Sequence, residues 1–347
     1  MTRPPLLSVC IPTYNRGNEL ACRLAAWLAA TACDEFEIVV SDNASDDGTE
    51  KALAAIADPR LVCCRNPENV GAFENQLRAF ASARGTWLMQ LTDKDELVPE
   101  SLGEALSVLR GVGAACGSFR LFNGAVPKMD GSVRSLAGAA AYARYGMGYA
   151  HPSGCFFRAD IVRREGLLAE LRALDEITRP YSTDYLTSLC LRSGAYARID
   201  VPLVRHRLPP YGAGRKSISY VERASYYFTP EFVVREFGEY LRFLCRASGL
   251  GPLARLRAVA GLVRRSLFPR MTAFYRRTLE DAAICAWYGV PEDFRRSELE
   301  RDLEGDFQAG VRALAAAVGA VDALALRLGA FGCRRDAARQ RRQHEAK

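Results

Sequence analysis

Histidine is scarce in this 347-residue chain: His151, His206 and His344 are the only three. No Cys-x-x-Cys pair or His–Cys cluster accompanies them, which excludes zinc-finger chemistry. The 11 cysteines are scattered, with Cys63 and Cys64 adjacent. They read as reduced thiols of a cytosolic protein, not as a disulfide framework. No uninterrupted apolar run of about 18 residues occurs, so no membrane-spanning helix is expected. The segment from Met1 to Leu7 holds one arginine and two prolines and lacks the apolar core of a signal peptide. There is no internal repeat and no RNP or helix-turn-helix signature, so nucleic acid is not an expected partner.

What is present is an ordinary globular balance, 49% apolar and 25% charged, with its charge unevenly placed. Through Asp200 there are 21 basic and 24 acidic residues; from Val201 onward there are 26 and 16. A basic C-terminal part implies an anionic partner, such as a nucleoside diphosphate or a membrane surface. Apolar runs alternate with helical patterns in the first half. Strands are expected at Leu6–Pro12 (stopped by Pro12), Phe36–Ser41, Arg60–Cys64 and Trp87–Leu91. Helices are expected at Glu19–Ala30, Thr49–Ala57 and Val70–Ala83, the first from the spacing of Leu20, Leu24, Trp27 and Leu28. This alternation predicts an α/β fold with a mostly parallel sheet between helices. Ligands of such sheets bind beyond the carboxyl ends of the strands. Pro12-Thr13-Tyr14, Asp42 and Asp93-Lys94-Asp95 each fall at such an end, which makes them one candidate site. Two carboxylates one residue apart can hold a hard divalent cation, which in turn holds a diphosphate.

Further along, the pattern predicts a helix from Pro99 to Arg110 and a strand at Ala114–Phe122. Asn123–Tyr149 reads as irregular loop. A strand at Ser153–Arg158, helices at Ala159–Leu174 and Tyr185–Arg192, and a strand at Ala197–Val204 follow. From Ser219 the pattern is helical only. The expected organisation is an α/β domain over 1–218 (halves 1–98 and 99–218), a helical domain over 219–333, and a charged, frayed tail over 334–347.

The segments Val9-Cys10-Ile11-Pro12-Thr13-Tyr14-Asn15-Arg16 and Glu37 through Thr49, followed in order by Asn69-Val70-Gly71, Arg84-Gly85-Thr86-Trp87 and Asp93-Lys94-Asp95, resemble the opening of the family 2 glycosyltransferases. The resemblance covers roughly the first 210 residues. It implies a GT-A fold and an inverting transfer from a nucleotide-sugar donor. Pro12, Thr13 and Tyr14 would then line the base and ribose pocket, and Asp42 would accept a hydrogen bond from the base. Asp93 and Asp95 would form the family's DxD pair, Asp93 toward ribose or metal and Asp95 on the metal, a Mn2+ or Mg2+ ion. Lys94 is unusual between them and lowers the local negative charge. Where the family often has an Arg-Asn pair, this chain has Glu74-Asn75, so Asn75 stays a donor-site candidate and Arg78 becomes the nearby cation.

The same resemblance places the general base at Asp184, in Thr183-Asp184-Tyr185, with Asp175 and Glu176 as nearby acidic alternatives. Ser153-Gly154-Cys155 would border the acceptor. Val204-Arg205-His206-Arg207 matches a segment in which His206 would contact metal or diphosphate. Arg205, Arg207, Arg215 and Lys216 lie around a loop from Tyr211 to Gly214, which reads either as a lid closing over phosphates or as a solvated basic loop. The acceptor would be a glycan or lipid-linked glycan of a bacterial surface polymer, such as capsule or O-antigen.

In the C-terminal half, Leu253, Leu256, Val259, Ala260, Val263 and Leu267 repeat at helical spacing beside Arg255, Arg257, Arg264 and Arg265. Such a helix suits an anionic membrane surface or ordinary packing, and the Ala-rich helix that follows suits a bundle or a homo-oligomer contact. The expected location is cytoplasmic, with the inner membrane face as the alternative. Two other readings stay open at this point. A nucleotidyltransferase would want a glycine-rich phosphate loop after the first strand, and Pro12-Thr13-Tyr14-Asn15-Arg16-Gly17 is poor in glycine. A non-catalytic nucleotide-sugar-binding protein would lack the carboxylates.

Overall fold

The computed structural model describes residues 4–148, 151–164, 166–174, 182–207 and 228–345. The chain divides into two units, residues 1–137 with 150–207, and residues 138–149 with 208–347.

The first unit follows the alternation in the sequence. β1 (Leu7–Thr13), α1 (Gly17–Ala29), β2 (Phe36–Asp42), α2 (Thr49–Ala54), β3 (Leu61–Arg65), α3 (Gly71–Ser82) and β4 (Trp87–Gln90) build a parallel half-sheet. All seven residues of β2 are buried, because a parallel strand is covered on both faces. α1 buries Leu20, Leu24, Trp27 and Leu28 in one apolar cluster with Val9, Ile11, Ile38, Val40 and Met89. Each such side chain removed from water contributes about 1.5–3 kcal/mol. Pro12 does not end its strand. It pairs with Ser41, and the ladder continues to Thr13 opposite Asp42.

β5 (Glu96–Leu97), α4 (Leu102–Gly111), β6 (Cys116–Phe122), β7 (Val133–Leu136), the short α5 (Gly138–Ala141, part of the second unit), β8 (Cys155–Arg158), α6 (Ala159–Val162), α7 (Leu167–Arg172), α8 (Ser182–Leu191) and β9 (Tyr196–Arg205) follow. The sheet order is β3-β2-β1-β4-β8-β6-β9-β5, with β7 on β9. β8 runs antiparallel to both β4 and β6, so the sheet is mixed beyond β4. The segment expected as loop, Asn123–Tyr149, instead supplies β7, α5 and a π-helical turn over Tyr142–Gly146. The helix expected over Ala159–Leu174 is two short ones. Gly166, with φ of 92°, precedes α7 in a backbone conformation that an α-helix cannot contain.

A buried charge ties the amino ends of these strands together. Glu37 is 1% exposed. Its carboxylate accepts hydrogen bonds from Ser8 Oγ at 2.7 Å, Arg84 N at 2.6 Å and Arg84 Nε at 2.8 Å. Ser8 Oγ in turn accepts from Gly85 N at 2.8 Å. Every lone pair used here repays part of the cost of burying the charge.

The second unit is helical. It contains α9 (Pro230–Ala247), α10 (Pro252–Leu262, continued by a π-helical turn to Leu267), a π-helical turn over Arg270–Phe274, α11 (Tyr275–Glu280), α12 (Ala282–Tyr288), α13 (Glu292–Leu299), α14 (Leu303–Ala317) and α15 (Ala320–Glu345). The long helix expected from Pro269 to Trp287 breaks at Asp281, whose side chain caps α12 by accepting from Ala283 N and Ile284 N. The sequence draws the domain boundary at 218 and separates a tail at 334. Residues 138–149 group with the helical unit, and α15 continues through 334 to Glu345. Among the described residues, no helix is long and apolar enough to cross a membrane.

Candidate active site

The carboxyl ends of β1, β2 and β4 are joined by a polar network. Asn75 of α3 is 2% exposed. Its amide donates to Ser41 O at 2.9 Å and Thr13 O at 3.4 Å, and its oxygen accepts from Ser41 Oγ at 2.7 Å and Asn66 Nδ2 at 2.9 Å. Asn75 therefore braces two strand ends. Asp42 is buried as well. It accepts from Ser45 N at 3.2 Å, from Ser45 Oγ and from the Arg65 guanidinium. The turn that makes this possible holds Ala44 at a φ of 59°, a conformation costing an L-residue about 1–2 kcal/mol. Arg78, the candidate cation beside Glu74, donates to Asn66 Oδ1 at 3.0 Å, and Glu74 itself takes both ends of Arg172 at 2.9 Å.

The Asp93-Lys94-Asp95 loop follows β4 and is gripped from outside. The Arg23 guanidinium of α1 donates to the backbone carbonyls of Lys94 at 3.1 Å and Asp95 at 3.2 Å, and to that of Asp93. Three carbonyls on one planar fork fix the loop's path and the directions of its side chains. Asp93 turns toward β1, where Oδ2 accepts from Thr13 Oγ1 and from Arg16 Nε, each at 3.1 Å. Burial lowers the Lys94 pKa, and the Asp93 charge opposes that shift. Tyr14, at the same strand end, is 42% exposed.

Asp95 turns the other way and is 1% exposed. Oδ1 pairs with His206 Nδ1 at 2.9 Å and accepts from Arg207 N at 3.2 Å. Oδ2 accepts from Thr92 Oγ1 at 2.9 Å and from Ser153 Oγ. His151 Nδ1 lies 3.5 Å from Oδ2, and the two imidazole rings are 4.2 Å apart, tilted by 51°. Burial raises the carboxyl's pKa. The hydrogen bond from His206, the charge that His151 carries in acid and the Ser153 hydroxyl outweigh that, and the result is about 2. Burial drives the His151 pKa down to about 4, against the pull of Asp95. His151 is thus a neutral imidazole near pH 7. Its Nδ1 accepts from Ser153 N at 3.3 Å, so that nitrogen carries a lone pair.

Asp95, His151 and His206 place one ligand atom each within 4.8 Å of one another. One carboxylate and two imidazoles fit a divalent cation. The nitrogen content suits Mn2+ better than Mg2+, which prefers oxygen ligands and its own waters. The sequence pairs Asp93 with Asp95 and His206 as ligands. The structure brings Asp95 and His206 together, adds His151, and directs Asp93 to Thr13 and Arg16. His151 and Arg23 were missed. The scarcity of histidine was the available signal for the first; for the second, an arginine on a helix face reads as solvated.

The other candidates fall around this cluster. Arg205 pairs with Glu96 at 3.1 Å, and the Arg207 guanidinium pairs with Glu19 at 2.9 Å. Asp184 lies in the first turn of α8, 2% exposed. The neighbouring Thr183 donates to Gln90 Oε1 at 3.0 Å, tying α8 to the end of β4. Burial, and then the Asp184 charge, push the Cys155 thiol up to about 12. Asp184 is thus near enough to Cys155 of β8 for its charge to be felt there, two residues along from Ser153, the Asp95 partner. Asp175, Glu176, Arg215, Lys216 and the loop from Tyr211 to Gly214 lie outside the described residues.

Comparison with known proteins bears on the fold and the family. A family model described as glycosyl transferase family 2 matches residues 8–165. The putative colanic acid biosynthesis glycosyl transferase WcaA of Escherichia coli is 28% identical over 109 residues, 31% of this chain and 39% of that protein. Abequosyltransferase RfbV of Salmonella typhimurium is 34% identical over 101 residues, 28% of this chain and 30% of its own length. The chain thus spans well under half of the curated relatives it matches. The crystal structure of S. aureus TarS 1-349 in complex with UDP superposes with a TM-score of 0.58 over 98% of this chain and 92% of that one, at 16% identity. That likeness is one of fold: a GT-A-like sheet followed by helices.

Proposed function

We propose, from the match of residues 8–165 to the glycosyl transferase family 2 model, that this chain is an inverting glycosyltransferase acting from a nucleoside diphosphate sugar on a hydroxyl of a bacterial surface polysaccharide. The observation that carries this reading is the gathering of His151 and His206 around Asp95 beyond the strand ends, Asp95 lying on the loop that also holds Asp93 against Thr13. The acceptor class rests on the relatives named for colanic acid biosynthesis and abequosyl transfer. TarS structures in complex with UDP and UDP-GlcNAc support a uridine diphosphate donor.

Tyr14 offers an exposed aromatic face to the base, and Thr13 and Arg16 hold Asp93 where the ribose would lie. Asp95, His151 and His206 would hold Mn2+, which when bound supplies positive charge against the diphosphate. Asp184 takes the proton of the acceptor hydroxyl as its oxygen attacks the anomeric carbon. The bond from that carbon to the diphosphate breaks, its electron pair leaves on the diphosphate, and the anomeric configuration inverts. The Cys155 thiol beside Asp184 stays protonated, so it neither competes for the proton nor attacks the donor.

Asp184→Asn should lower transfer by about 100- to 10,000-fold, the usual worth of a general base, with UDP binding unchanged. Robust turnover by this variant would remove Asp184 from the role. Incubation with a panel of nucleotide-sugars and Mn2+ should release nucleoside diphosphate. Release of pyrophosphate would instead support nucleotidyl transfer, and binding without turnover a non-catalytic protein.

A further inference from the structure

The second unit carries an exposed apolar stripe beside unmatched positive charge. α15 buries Ala325, Leu326, Ala330 and Cys333 and leaves Leu324, Leu328 and Phe331 exposed at 49%, 46% and 53%. These three recur at i, i+4 and i+7, so they form one face. The face cannot be turned inward. A side chain at Gly329 would sit 2.7 Å from Val263 Cβ and 2.9 Å from Ala260 O, so α15 is pressed against α10 through a position that admits no side chain. On α10, Leu253 is 63% exposed.

Between these helices lies a recess of about 470 Å³, floored by Ala143 and Gly261 and edged by Arg257, Arg264, Arg265 and Leu328. Asp336 also reaches it and pairs with Arg264 at 2.6 Å. Arg257 and Arg265 are exposed and make no ion pair or hydrogen bond among the described residues. Arg327, Arg334 and Arg335 stand exposed along the apolar stripe itself.

Scattered exposed leucines need no explanation, but a contiguous apolar stripe bordered by arginines does. The charge selects the occupant. A second copy of the same face would oppose arginine to arginine. An anionic bilayer offers phosphates that match the guanidinium fork and an apolar layer beneath them. We propose that this face docks on an anionic phospholipid surface. Leu324, Leu328 and Phe331 enter the interfacial layer, and the recess receives a lipid phosphate between Arg257 and Arg265.

The test is sedimentation of the full chain with vesicles of phosphatidylcholine alone, or of equimolar phosphatidylcholine and phosphatidylglycerol. Binding is expected only to the anionic vesicles and should weaken as salt rises. Arg257→Gln and Arg265→Gln should each weaken it about fivefold, the worth of one basic residue at such a surface. Phe331→Ser should weaken it too while leaving the far-ultraviolet circular dichroism unchanged, since the side chain supports no core. Equal binding to both vesicle types, or none, would overturn the proposal. So would a dimer in analytical ultracentrifugation that Phe331→Ser dissolves while vesicle binding is unaffected. The readout is independent of any transfer reaction.

Discussion

Asp95→Asn keeps the size of the side chain and removes its charge, which makes it the sharpest probe of the cluster. The carboxylate uses both oxygens: Oδ1 for His206 and the Arg207 N–H, Oδ2 for Thr92 and Ser153. An amide has a single acceptor oxygen. It should turn its NH2 toward Thr92 and Ser153, whose hydroxyls can rotate to accept, and its oxygen toward the Arg207 N–H, which cannot. The fold is therefore kept, at a cost. The folded-state pKa is depressed from 3.8 to about 2, and at about 1.4 kcal/mol per pH unit the gap is worth about 2.5 kcal/mol. A depressed carboxyl pKa contributes stability above the unfolded value, and that contribution is lost as pH falls through the folded value. Urea unfolding in chelator should show parent and variant separated by about 2–3 kcal/mol near neutrality, with the gap closing as pH falls below about 4. Calorimetric titration with Mn2+ should show binding weakened more than about 100-fold, since even an outer partner of a ligand is worth about 10- to 100-fold. Parallel stability curves into acid, together with an unchanged Mn2+ affinity, would refute both the electrostatic account and the ligand assignment.

Other outcomes follow from the same geometry. The His151 pKa is depressed from 6.5 to about 4, so the metal-free protein should lose stability as pH falls from about 6.5 toward about 4; His151→Gln should flatten that window in urea unfolding. Lys94→Ser removes a cation next to the cluster and should tighten Mn2+ binding by roughly tenfold, for about 1–2 kcal/mol of relieved repulsion, read by the same calorimetry. Glu37→Ala strips the acceptor from Ser8 Oγ and Arg84 N and should cost about 2–4 kcal/mol in chemical denaturation. A loss within experimental error would mean those donors find water instead.

Much of the first unit was legible because its signals are local. The apolar run of β2 and the spacing of Leu20, Leu24 and Leu28 need no distant partner to be read, and the strand-end clusters follow from the alternation. What escaped depends on distant pairing. β7 is four residues with no apolar alternation, three of them exposed; it is a strand only because β9 supplies its partner. His151 reaches Asp95 because β8 inserts antiparallel between β4 and β6, an arrangement that βαβ alternation cannot announce. Spacing alone does not tell Asp93 from Asp95. They part company in space because Thr13 and Arg16 claim one, and two histidines and two hydroxyls claim the other.

The hydrogen bonds by which Arg23 holds the Asp93-Lys94-Asp95 loop all go to main-chain oxygens. A grip on the backbone is indifferent to what the middle residue carries. The residue at 94 is thus a dial: its charge can be changed to set how strongly the site draws a cation, while the loop that presents Asp93 and Asp95 keeps its shape. Arg23→Leu would uncouple the two, leaving both carboxylates in the chain but no longer aimed.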